Sequence, residues 1–367
     1  MGCASADLIA RAHGRFGSAG EVVAQRRAVY RLAVELLDRE ADPADREVDA
    51  EIDTDRLDNP ISRGHLGEVL SGRAAFSPDE LRPLTELTGP VAGPVRVVQR
   101  GEEALAPALA RVSTELRRHR AGGGPPVLLT AGAAGFAQAR RVLLDGVEVA
   151  LKAVPELAAD LLPHVAAFAM VRDDTGRLGS ASAREFPGLV VLPAPSVAAE
   201  AAEAFLHEGA HQTFFDLAIT RAVFGANQFD APPMPPSWAG GAEWPLEQTF
   251  AAWHAYRCLT AFAEVSDSPP GASLLPVAAE RAEELGDWLR AHGEHLGPDG
   301  HRLLDAVDGR APDAPPSAAP AAPSTSDPGM RTLRFAGRTL IARHADALEF
   351  FWREDLAPAG PRPAEGP

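Results

Sequence analysis

The apolar stretch between Ser196 and Phe224 constrains the fold most, because its spacing predicts one long helix that ends at Gly225. The middle of this stretch reads LHEGAH and contains His207 and His211, four residues apart. Residues at that spacing share one helical face, so both imidazoles can reach a single ion about 2.0–2.1 Å away. The stretch therefore predicts an HExxH helix that binds a divalent metal.

A carboxylate and a third metal ligand complete the predicted site. Glu208 stands beside the first histidine, where it can touch metal-bound water or hydrogen-bond a ligand. Two histidines leave too many positions on the ion open, so a further protein ligand is expected. Phe214 and Leu217 occupy the places of the Gly and His that a metzincin requires, which excludes that class. The remaining downstream candidates are Glu243, Glu247, His254 and Glu264.

We predict His254 as the third ligand, ahead of Glu247. His254 lies inside an apolar helix, where an inward-facing imidazole needs a polar partner. The alternative is a core histidine that is satisfied by hydrogen bonds alone. The sequence leaves both interpretations open.

Composition and charge exclude several classes of protein. The 35 basic and 51 acidic side chains give a formal net charge of −16, which opposes binding to nucleic acid through a basic surface. Cys3 and Cys258 are the only cysteines, so no cysteine-rich metal site can form. No apolar run reaches the ~18 residues of a membrane span, and the N-terminus does not resemble a secretory signal. We expect a soluble, cytoplasmic protein with no nucleic-acid or membrane partner.

The sequence pattern predicts an α+β fold, namely a helix-dominated, zincin-like domain with a small antiparallel sheet and an HExxH active-site helix. Strands are predicted at 164–172 and 188–193, and the edge of the second could accept an extended peptide. Further helices are predicted at 21–41, 101–119, 136–144, 147–162, 246–265 and 275–292. We divide the chain into an N-terminal helical region (1–121), a metal-binding catalytic domain (122–310), a disordered Pro/Ala/Ser linker (311–330), a small strand-turn-strand-helix module (331–355) and a disordered tail (356–367).

A family resemblance rests on the HEGAH motif, Ser180 and Ser182, the strand Phe186–Leu192, and the helix from Pro245 that contains Trp253, His254 and Ala255. With these features the chain resembles the actinobacterial HExxH-motif proteins of peptide natural-product clusters. Members are known as 2-oxoglutarate-dependent HExxH-type peptide β-hydroxylases, and they occur fused to or beside radical-SAM cyclophane synthases. The resemblance covers residues 125 to 300 and is most specific at the HExxH.

The resemblance implies an activity, cofactors and partners. It places Fe(II) on His207, His211 and His254, with 2-oxoglutarate as co-substrate. The reaction would be β-hydroxylation of a residue in a ribosomally synthesised precursor peptide, and a radical-SAM maturation enzyme would be a further partner. The distal carboxylate of 2-oxoglutarate needs a cation, for which Arg257 and Arg221 are our candidates.

Two other functions fit the same residues. In a zinc metallopeptidase, the two histidines would hold Zn²⁺ and Glu208 would act as general base on the bound water. The chain could also be a non-catalytic peptide-binding or maturation partner, with the motif as a relic. The sequence alone does not separate iron from zinc.

Overall fold

The computed structural model describes residues 3–40, 52–89, 95–118, 126–172, 179–266, 273–310, 330–335, 338–344 and 348–354. Its α-helices are α1 (Ala4–Gly14), α2 (Ala19–Glu40), α3 (Thr54–Asp58), α4 (Pro60–Leu70), α5 (Thr85–Thr88), α6 (Glu102–Arg118), α7 (Phe136–Ala153), α8 (Pro155–Leu161), α9 (Ala198–Thr220), α10 (Leu246–Ala263), α11 (Leu275–Ala291) and α12 (Pro298–Val307). Its strands are β1 (Val127–Leu128), β2 (Ala167–Arg172), β3 (Leu189–Pro193), β4 (Met330–Phe335), β5 (Arg338–His344) and β6 (Leu348–Glu354). The fold is α+β and helix-dominated, as the sequence predicts.

The first sheet is mixed, which corrects the prediction of a small antiparallel sheet. Strand β1 runs antiparallel to β2, whereas β2 and β3 are parallel, in register from Ala167 opposite Leu189 to Val171 opposite Pro193. Alternate residues of the two parallel strands face different apolar clusters, so Phe168 packs into one and Ala169 into the other. Burial on both faces produces the continuous apolar runs that are typical of parallel strands.

The HExxH motif lies in α9, which is buried along most of its length between α7 and α10. Gly146 permits a close approach between α7 and α9, because a Cβ atom at this position would lie 2.4 Å from the Cβ atom of Ala201 in α9. The helix ends at Thr220 rather than near Phe224. Its last predicted residues instead leave the helix, and Phe224 pairs in an antiparallel bridge with Leu296.

The N-terminal helix α1 was not predicted, and it packs against α8, α10 and α12. Its residues Ile9 and Ala12 belong to the same apolar cluster as Phe205 and Phe250. Residues from the predicted N-terminal helical region and from the predicted catalytic region therefore contribute to one core. A second local difference concerns the two helices predicted at 136–144 and 147–162. In the structure, α7 runs without interruption from Phe136 to Ala153, and α8 begins at Pro155.

The C-terminal module is a three-stranded antiparallel sheet in the order β4, β5, β6. Its last element is a strand and not the predicted helix. The run Leu348–Trp352 is rich in aromatic residues, which favour strands over helices. The predicted linker up to residue 329 and the predicted tail 356–367 lie outside the described residues. Among the described helices, none is long and apolar enough to cross a bilayer.

Candidate metal centre

The two histidines of the motif converge. Their Nε2 atoms are 3.3 Å apart, and the ring centroids of His207 and His211 are 4.8 Å apart with the rings almost perpendicular. Two nitrogen donors that share one ion at 2.0–2.1 Å are separated by about 3 to 3.4 Å, depending on the bond angle. The spacing of the imidazoles therefore fits a common divalent ion.

The protonation states of these histidines suit metal binding. Burial lowers the pKa of His211 to about 4. Burial also lowers the pKa of His207 well below its ordinary value, and His211 and Arg281 lower it further. Both imidazoles are thus neutral at physiological pH, the form that binds metal. Within the described residues, Nδ1 of His207 is buried without a hydrogen-bond partner, and the ring packs instead against Tyr256 at 5.6 Å between centroids.

Glu208 is held by two serines upstream of β3. Its side chain is 2% exposed, and Ser182 Oγ donates a hydrogen bond to Oε2 at 2.5 Å. Ser180 is its second hydrogen-bonding side chain, and Ala181 between the two serines is paired with Val191 of β3. Burial raises the pKa of Glu208 to about 7, while the serines oppose the rise. This carboxyl group can therefore gain or lose a proton near neutral pH.

An arginine that the sequence did not reveal lies beside His207. Arg281 in α11 lies over the rings of Trp238 and Tyr256, with its guanidinium carbon 4.9 and 5.4 Å from their centroids. Its Nη1 donates to the Tyr256 hydroxyl at 2.7 Å. Burial raises the pKa of Tyr256, an effect that Arg281 opposes and Glu208 increases. In the part of the chain that is described, no carboxylate forms an ion pair with Arg281, so its cation is available to an anionic ligand.

The predicted third ligand is engaged elsewhere. His254 is completely buried, and its Nδ1 lies 3.0 Å from the carbonyl oxygen of Ala210. Its Nε2 lies 2.6 Å from Nε2 of His13. Both ring nitrogens thus have a partner, and among the described residues His254 does not form a group of three metal-binding side chains with His207 and His211. The alternative interpretation from the sequence, a core histidine satisfied by hydrogen bonds, describes this side chain.

The acidic candidates for a third ligand also lie elsewhere. Glu247 forms an ion pair with Arg184 and lines a cleft on the Phe215 side of α9. Glu264 accepts hydrogen bonds from Cys3 and Ser5 near the start of α1, and Glu243 is exposed. Among the described residues, no group of three or more His, Cys, Asp or Glu side chains has the arrangement of a metal site. The described protein donors are therefore the two imidazoles, one fewer than the three ligands that the sequence predicts.

The two arginines proposed for 2-oxoglutarate are not brought to the histidines. Arg257 forms an ion pair with Asp308 at 3.1 Å. Arg221 donates hydrogen bonds to Gln25 and to the backbone of Phe16. Arg281 is instead the arginine whose charge acts on His207. No sequence signal distinguishes Arg281, because its contacts reach Tyr256 in α10 and Trp238 in the loop that precedes α10.

Comparisons with known proteins do not identify the chain. Neither a protein-family model nor a curated protein matches it significantly.

Proposed function

We propose that this chain is an Fe(II)- and 2-oxoglutarate-dependent enzyme that hydroxylates the β-carbon of a residue in a ribosomally synthesised peptide. The observation that carries the proposal is the 3.3 Å separation of the Nε2 atoms of His207 and His211. The family resemblance supplies the reaction type. The same proposal includes a zincin-like HExxH fold, a cytoplasmic location, and a radical-SAM maturation enzyme as a second partner.

In the proposed enzyme, the two neutral imidazoles hold the ion from one side of α9. When bound, iron would activate O₂ with 2-oxoglutarate as co-substrate, so that one oxygen atom enters a carbon–hydrogen bond of the peptide and the other enters succinate, with release of CO₂. Glu208 is hydrogen-bonded to Ser182 and Ser180. Its carboxyl group, which can gain or lose a proton near neutral pH, follows directly after His207 in the sequence. The ring of Tyr256 packs against His207, with 5.6 Å between the ring centroids.

Arg281 is the residue that would hold the distal carboxylate of 2-oxoglutarate, in place of the predicted Arg257 and Arg221. A guanidinium binds a carboxylate through two parallel hydrogen bonds, and the neighbouring rings of Trp238 and Tyr256 restrict its orientation. The hydroxyl group of Tyr256 already accepts one N–H of this arginine. Its proton can therefore be donated to the same carboxylate.

The test is anaerobic reconstitution of the purified chain with Fe(II) and 2-oxoglutarate. We expect a weak visible charge-transfer band, succinate formation only after O₂ is admitted, and a mass increase of one oxygen atom in a peptide substrate. His207→Ala should abolish the band and the metal content. Peptide cleavage that persists with zinc and without the keto acid would refute the oxygenase.

The zinc metallopeptidase remains the second candidate, and Glu208 favours it. A carboxyl group with a pKa near 7 is suited to act as general base on metal-bound water. In a peptidase, Glu208→Gln should retain zinc and lose cleavage. If His207→Ala leaves metal content and peptide product unchanged, the chain is instead a non-catalytic partner.

A further inference from the structure

A buried chain of hydrogen bonds runs behind the metal-binding turn of α9. Asp160 Oδ2 in α8 lies 2.5 Å from Nδ1 of His13 in α1. Nε2 of His13 lies 2.6 Å from Nε2 of His254 in α10, whose Nδ1 reaches the carbonyl oxygen of Ala210 in α9 at 3.0 Å. The exposed fractions of the two imidazoles are 3% and 0%. Four helices are therefore joined by three short polar contacts.

The direction of these hydrogen bonds follows from their ends. A carbonyl oxygen only accepts, so Nδ1 of His254 carries a proton. Burial lowers the pKa of His254 well below its ordinary value, so its other nitrogen is a bare acceptor. Nε2 of His13 must then be the donor, and its Nδ1 is hydrogen-bonded to the carboxyl group of Asp160. Each ring nitrogen has one partner, which fixes the orientation of both rings.

The His254 end of this chain of hydrogen bonds contacts the turn of α9 that carries His207 and His211. Ala210 immediately precedes His211, and its carbonyl belongs to the helical turn between the two ligands. The ring of His254 also packs against Phe214, at 6.1 Å between centroids. A displacement of this turn would break a hydrogen bond in a site without access to water, where an unmade bond is costly. The separation of the two ligand nitrogens therefore depends on the hydrogen bond from His254.

We propose that His254 is a positioning residue that holds the metal-binding turn of α9, and that His13 holds His254 in place. The proposal rests on the proposed metal binding by His207 and His211. It assigns α1 to the metal centre, although this helix contributes no ligand. It also gives His254 a role at the HExxH motif that requires no bond to the ion.

The hydrogen-bond chain can be tested on the metal-free protein. Long-range nitrogen–proton correlation spectra of histidine-labelled protein report which ring nitrogen carries the proton, and the variants His13→Asn and His254→Asn assign the signals. We expect His254 to be protonated at Nδ1 and His13 at Nε2. A proton on Nε2 of His254, or exchange between both forms, would overturn the proposed hydrogen-bond direction.

The effect on the ligands can be tested by titration with Co(II), whose visible absorption reports on its coordination. His254→Leu and His13→Leu should each weaken Co(II) binding about tenfold, within the range found when supporting residues of metal sites are changed. Neither should shift the wavelength of the bands. His254→Asn should restore most of the affinity, since its side-chain amide can donate to the same carbonyl. The two Leu substitutions together should cost little more than either alone, because both break one chain.

His292→Leu is the matched control, since Nδ1 of His292 donates to the carbonyl of Trp288 at 2.8 Å, away from the site. It should leave Co(II) affinity unchanged. If His254 were itself a ligand, His254→Asn would shift the bands and abolish tight binding, which would refute the positioning role. Unchanged affinity in both Leu variants would also refute it. If wild-type protein binds no Co(II), the proposed metal function fails, while the spectra of the metal-free protein still decide the hydrogen-bond chain.

Discussion

The buried carboxyl group of Glu208 should make the metal-free protein less stable as pH rises. Its pKa is raised from 4.5 to about 7, so the folded state binds a proton more tightly than the unfolded state does. The contribution of Glu208 to stability is then highest below the unfolded value of 4.5, falls as pH rises to about 7, and is constant above it. The difference in pKa corresponds to about 3 kcal/mol of unfolding free energy.

Glu208→Gln removes the ionisable group and preserves most of its shape. The amide oxygen of the new side chain can still accept a hydrogen bond from Ser182. The variant should therefore match the wild type at about pH 4 and be more stable by about 3 kcal/mol at about pH 8. The measurement is chemical denaturation of chelator-treated protein across this range, followed by circular dichroism. Glu280→Gln, which changes an exposed carboxylate of α11, is the control and should show no such trend.

Two results would refute this reasoning. One is a Glu208→Gln variant that gains the same stability at both ends of the pH range. The other is a variant that is less stable than the wild type above neutral pH. A bound divalent ion near Glu208 should lower the pKa of its carboxyl group and diminish the difference, so repeating the series with Co(II) tests their proximity.

Three further predictions concern packing, buried charge and co-substrate binding. Gly146→Ala should lower the unfolding free energy by about 1–2 kcal/mol, because its Cβ atom would lie 2.7 Å from the Ala198 carbonyl oxygen. In the same denaturation assay Gly14→Ala is the control and should be neutral, since its Cβ atom would have no neighbour within 4 Å. Asp216→Asn should destabilise the protein by about 3–5 kcal/mol, since it removes the buried negative charge 2.6 Å from Arg26. Thermal unfolding measures this loss. Arg281→Lys should raise KM for 2-oxoglutarate about tenfold with kcat little changed, because a lysine keeps the charge without the paired donors. An unchanged KM in an assay of succinate formation would contradict the role of Arg281 in binding the co-substrate.

Local spacing was sufficient to predict the core of the candidate site. The shared face of His207 and His211 follows from their spacing within one helix, and α9 places their nitrogens together. The apolar helices near residues 246 and 275 were predicted for the same reason, and both are confirmed. Glu208 follows from its place in the motif, but its two serine partners depend on the bridge between Ala181 and Val191.

Contacts between distant elements could not be predicted in this way. His13 and His254 are 241 residues apart in the sequence, and nothing in their local patterns pairs them. Helix α1 was missed because three of its buried positions are alanine or histidine, which contrast weakly with their neighbours. The parallel direction of β2 and β3 was missed because a buried strand reads as an apolar run whichever way its partner points.

The contact between His13 and His254 also has a consequence for the order of events during synthesis. At about 5–20 residues per second, the ribosome needs about 10 to 50 s to pass from the first of these histidines to the second. Helix α9, with both candidate ligands, leaves the ribosome before α10 does. If His254 positions the metal-binding turn as proposed, tight metal binding becomes possible only after α10 has left the ribosome.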